Sequence, residues 1–141
     1  MKLATFGGIF FLLLAVGCNH TESALCPRHI EEPIYPAIAR TADITGKLVV
    51  AVTIGADGKV SRADITNRTT SLKLLEQTTL NNIRSWTFTP PRKAPHVQTV
   101  VYDYEINKSP EVRGVQVSYD LPDRVNIIAG LPEIETSGSH R

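Results

Sequence analysis

From Gly46 to Ile54 the chain reads as one extended strand, with its larger aliphatic residues at every second position. Leu48, Val50, Val52 and Ile54 fall on one face of an extended strand; Lys47, Val49, Ala51 and Thr53 fall on the other. Gly55, Asp57 and Gly58 then supply the turn chemistry of a tight hairpin. A second strand runs on to Thr66. Its Val60 is out of phase with Ala63 and Ile65, which predicts a bulge near Ser61–Arg62. Two strands alone are marginal, so flanking segments must cover the apolar face.

Both flanks offer cover. Pro33 holds its predecessor extended, and Pro36 is acceptable in the first turn of a helix. Ala37 to Ala42 fits one or two helical turns, with Ile38 and Ala39 available for the core. After the hairpin, Ser71 is placed to cap a helix from about Leu72 to Ser85. Leu72, Leu75, Thr79, Ile83 and Trp86 share one face of it; Lys73, Glu76, Gln77, Asn81 and Arg84 take the other. Trp86 to Thr89 is a short extended run stopped by Pro90 and Pro91. Val97 to Ile106 reads as a third strand. Val97, Thr99, Val101 and Asp103 line one face, and Val100, Tyr102, Tyr104 and Ile106 line the other, more apolar one. Further on, Val112 to Tyr119 alternates and Val125 to Ala129 is apolar, with Leu121-Pro122-Asp123 between them. This predicts a second hairpin, one strand of which can add to an open sheet edge. Gly130 to Arg141 reads as disordered.

The chain begins differently. Met1-Lys2 precedes an apolar run to Gly17 that is short for a bilayer-spanning helix, which needs about 20 residues, so residues 1–17 read as a signal peptide. The end of that run, Leu14-Ala15-Val16-Gly17-Cys18, resembles a bacterial lipoprotein box, which implies lipidation of Cys18. A plain signal peptide and an uncleaved anchor are the alternatives. Without the lipid, Cys18 and Cys26 are able to close a short disulfide in an oxidising compartment. Residues 18–32 lack periodicity and read as a tether. Asn19-His20-Thr21 and Asn67-Arg68-Thr69 fit a glycosylation acceptor pattern, which a bacterial leader makes a chance match.

Fifteen basic and fourteen acidic side chains leave almost no net charge, which argues against nucleic acid as the partner. No catalytic constellation stands out: His29, His96 and His140 lie far apart, with no serine or cysteine in a nucleophile setting. Cys26, His29 and His20 lack the paired spacing of a metal site, so neither metal nor cofactor is expected. Asp57 and Asp64 fit a turn and a solvated strand face, and Trp86 and Phe88 fit core anchors.

Tyr35-Pro36, Ala39-Arg40, Ile44, Gly46, Asp57-Gly58-Lys59-Val60, Leu75 and Ile83-Arg84-Ser85-Trp86-Thr87-Phe88-Thr89-Pro90 are specific in their order and spacing taken together. Together they resemble the C-terminal domain of the TonB family, over residues 33–107. The resemblance implies an α+β fold: a three-stranded antiparallel sheet with two helices packed on one face, with residues 108–141 as an extension able to add strands. Two departures stand out. Thr78, Thr79 and Asn82 replace small alanines on the second helix, which predicts looser helix–sheet packing. About fifteen residues separate Cys18 from Pro33, a reach of ~50 Å at most, and no Pro-rich rod crosses the periplasm.

The resemblance further implies a non-enzymatic module that binds an envelope protein, such as an outer-membrane TonB-dependent receptor, by β-strand addition. The expected docking edge is the third strand, with Val97, Thr99, Val101, Tyr102 and Tyr104. A tail strand near Val115–Tyr119 lying on that edge would block it in cis. The alternative function is a self-associating structural envelope lipoprotein, a homodimer joined edge to edge. The expected location is the periplasm, lipid-anchored to a bacterial membrane, the outer one favoured.

Overall fold

The computed structural model describes residue 18 and residues 24–132. The expected leader, the Asn19 acceptor pattern, His140 and the tail from residue 133 lie outside the described residues.

The strand over His96–Asn107 is the centre of the sheet, with the Gly46–Ile54 strand beside it. β1 (Pro27–His29) is followed by α1 (Ala37–Thr41), then β2 (Gly46–Ile54), β3 (Val60–Ile65) and α2 (Lys73–Ser85). β4 (Thr87–Phe88), β5 (His96–Asn107), β6 (Val115–Asp120) and β7 (Arg124–Gly130) complete the chain. One sheet has the order β3-β2-β5-β7-β6, and β1 pairs with β4 in a separate ribbon. All neighbours are antiparallel except β5 and β7, which run parallel.

The period-2 pattern decides the faces as expected. Leu48, Val50, Val52 and Ile54 are fully buried, as are Val100, Tyr102 and Tyr104 of β5 and Val125, Ile127 and Ala129 of β7. Leu75, Thr79 and Ile83 of α2 close over them, with Trp86 and Phe88. The register of β2 and β3 shifts between Thr53 and Ile54, which leaves Ser61 as the extra residue of the expected bulge. At the hairpin turn Gly58 has φ +81°. A Cβ there would stand 2.2 Å from the carbonyl oxygen of Phe88, so only glycine lets β4 approach this closely.

Several expectations change. Ser71 does not cap α2; a 3₁₀ turn over Thr70–Leu72 leads into the helix, and the Ser71 hydroxyl meets that of Thr69 instead. Pro36 stands just before α1, not inside it, and the helix is so short that Ala39 alone turns inward while Ile38 remains 63% exposed. The stretch read as a tether is docked from Leu25 onward. The Gln98 side chain accepts from Leu25 N (2.7 Å) and donates to Leu25 O (3.1 Å), and the Asn82 amide donates to Glu31 O (2.9 Å). Its lack of periodicity reflects a segment held through its backbone, which leaves no side-chain pattern to read. Gly130, expected in a disordered end, is buried at the close of β7.

Candidate functional site

Strand recognition needs unpaired backbone groups, so the state of each sheet edge decides what the molecule can dock. On β5 the amide of Val101 donates to Asp123 O at 2.7 Å, on the side where β7 lies. Backbone groups alternate along a strand, so Val97 and Thr99 present theirs to the same side. Pairing with β7 begins at Val101 and runs to Asn107. No described strand faces Val97 or Thr99 there, and both side chains are exposed on the helix-free face.

The residues expected at the docking edge therefore separate. Val97 and Thr99 lie on an open length. Val101 is half-buried and its amide is taken. Tyr102 and Tyr104 point into the core at 0% exposure, so their side chains serve packing. The strand that covers the far half of β5 is β7; β6, where Val115–Tyr119 lies, forms the outer rim.

Behind this edge is a buried polar cluster that helix propensity did not reveal. Asn82 Oδ1 accepts from Trp86 Nε1 at 3.1 Å and from the Tyr102 hydroxyl at 2.8 Å. Thr79 donates to Leu75 O at 2.8 Å and meets the Tyr104 hydroxyl at 2.8 Å. Two of the three residues expected to loosen helix–sheet packing, Thr79 and Asn82, thus tie α2 to β5. Burial raises the Tyr102 hydroxyl pKa strongly, with Tyr104 and Tyr119 adding to it. Burial pushes Tyr104 up to about 12, against the lowering effect of the Thr79 bond. Tyr35 also reaches about 12, through burial first and then Asp43. Its hydroxyl donates to Ile44 O.

Charged groups have structural partners. Lys47 pairs with Asp103 at 3.2 Å directly across β2 and β5, and Arg62 pairs with Asp64. The Asp57 carboxylate accepts from Lys59 N at 3.0 Å within the turn. Arg40 Nη2 donates to Gly130 O at 2.9 Å and so ties α1 to the end of β7. Cys18 and Cys26 are joined in a disulfide, with their Cα atoms 6.1 Å apart. Among the described residues no group of His, Cys, Asp or Glu is arranged to hold a metal, and no helix is long and apolar enough to cross a membrane.

The model of the Gram-negative bacterial TonB protein C-terminal matches residues 31–107, more than half of the chain. The chain belongs to the TonB C-terminal family. Domains of this family are non-enzymatic interaction modules of the periplasm that typically engage TonB-dependent receptors. Among solved structures, the solution structure of the Pseudomonas aeruginosa TonB C-terminal domain is similar at 20% identity. The likeness covers 57% of this chain and 83% of that one, with a TM-score of 0.44. A comparison with curated proteins gives no match. The family match ends at Asn107, and the extra strands β6 and β7 lie beyond it.

Proposed function

We propose that the chain is a non-enzymatic periplasmic module that recognises an envelope protein, an outer-membrane TonB-dependent receptor in the first place, by β-strand addition at Val97–Thr99. Family membership supports the partner class. The observation that carries the site is the open length of β5 ahead of Val101, whose backbone groups face no described strand. An extended peptide docked there pairs with Val97 and Thr99 and stops against the Leu121–Asp123 turn, where Asp123 O already holds the Val101 amide. A photo-crosslinker at Thr99, in the native envelope, tests this. The expected adduct is an outer-membrane receptor, lost when Val97→Pro removes one outward N–H without touching the ladder to β2. A link only to the protein itself would sink the reading.

The lipid anchor and the disulfide compete for one sulfur. A thioether at Cys18 leaves Cys26 as a thiol; the disulfide leaves Cys18 without a site for lipid. Either state fits an exported protein, since a disulfide persists in oxidising compartments. We propose the periplasm as the location on both. Intact mass of the protein purified from its envelope decides between them: a diacylglyceryl adduct supports the anchor, and a mass lacking two hydrogens with no adduct supports the released form.

A further inference from the structure

We infer that the rim strand β6 is a self-recognition edge, where a second copy of this chain pairs antiparallel across a two-fold axis at Val117. The two rims of the sheet differ. On β3 the edge is defended: Ser61 bulges, Lys59 is already bridged to Thr87, and Arg62 and Asp64 place an ion pair along the strand. β6 has none of these devices. It runs Val115-Gln116-Val117-Ser118-Tyr119-Asp120 in unbroken register with β7, with no proline or lysine and one charge, at its end.

The backbone orientation follows from the inner side. Gly130 N donates to Gly114 O at 2.8 Å, so Gly114 faces β7. By alternation Gln116, Ser118 and Asp120 also face β7, and Val115, Val117 and Tyr119 present one N–H and one C=O each to the outside. Their side chains lie on the helix-bearing face. Val115 and Val117 are half-buried, and the Tyr119 ring, 38% exposed, stands 6.5 Å from that of Trp86.

This pattern is its own complement. Turned about Val117, Val115 meets the second copy's Tyr119, Val117 meets itself, and Gln116 meets Ser118 on the opposite face. Apolar groups cover one another on one side and uncharged polar groups do so on the other, with no like charges opposed. The contact is isologous and closes at two copies, which joins two five-stranded sheets into one. The bulge and charges on β3 prevent the head-to-tail alternative, β6 on β3, which would run on into fibres.

The test is sedimentation equilibrium of the full chain, extracted in mild detergent, over a concentration series. The expected mass rises from one copy to two. Val117→Lys sets two ammonium groups face to face, and Val117→Pro removes an outward N–H while sparing the ladder to β7. Each is expected to raise the dissociation constant by about tenfold or more. Circular dichroism reports whether each variant retains the fold. On the unmodified chain, hydrogen exchange at the amides of Val115, Val117 and Tyr119 should slow as concentration rises. A single-copy mass throughout, an unchanged dissociation constant in a folded Val117 variant, or exchange independent of concentration would each overturn the inference. It rests on β6 alone, so a failed crosslink from Thr99 leaves it standing.

Discussion

Asn82 shows how much a single residue carries. Its carbonyl oxygen is the acceptor for two buried donors, Trp86 Nε1 and the Tyr102 hydroxyl, and its amide holds Glu31 in place. Asn82→Ala leaves both donors buried without a partner, at about 1–3 kcal/mol for each such group. We expect unfolding free energy to fall by about 2–4 kcal/mol, read as a lower denaturant midpoint at unchanged slope. A loss under about 0.5 kcal/mol, the range of an ordinary surface change, would mean that water replaces the amide. In the sequence Asn82 registers only as a weak helix former. Its partner Tyr102 lies 20 positions away, and nothing local announces their meeting. Apolar positions are far easier to read, because alternation in β2 and β5 is a property of neighbours along the chain.

At the level of elements, the strands of the five-stranded sheet were legible; β1 and the strand order were not. Period-2 alternation says which face a residue takes, but it is silent on which strand lies beside which. The second hairpin was therefore foreseeable, whereas the insertion of β7 between β5 and β6 was not. This insertion changes what a truncation should do. Val125, Ile127 and Ala129 are fully buried, and the last ladder position of β7 is tightly fixed: a Cβ on Gly130 would stand 2.1 Å from Val112 O. Deleting residues 108–141 removes these side chains from the core and uncovers the flank of Tyr104. At about 1.5–3 kcal/mol for each large apolar side chain, stability should drop by about 5 kcal/mol. Urea unfolding of the shortened chain checks this. A midpoint equal to that of the full chain would make the hairpin a detachable flap over Val101–Asn107 of β5.

For the molecule as a whole, the tyrosines link the fold to pH. All four, Tyr35, Tyr102, Tyr104 and Tyr119, have raised pKa values, with burial as the first cause in each. Tyr35 and Tyr104 reach about 12 in the folded protein, against about 10 in an unfolded chain. The folded state holds the proton more tightly, so this stabilisation is complete below pH about 10 and disappears as pH rises through 12. Phenolate absorbance and circular dichroism, followed together, should change in a single alkaline transition. Ionisation of the buried tyrosines near pH 10 with the fold intact would show that the core admits hydroxide. One more consequence follows from where β7 sits. The last described strand to be synthesised takes a place second from the rim, and β6, made before it, has no neighbour until it arrives. Completion of the sheet thus waits on β7. A premature stop or a protease cut inside β7 strands two elements at once, because β6 then loses the strand it pairs with.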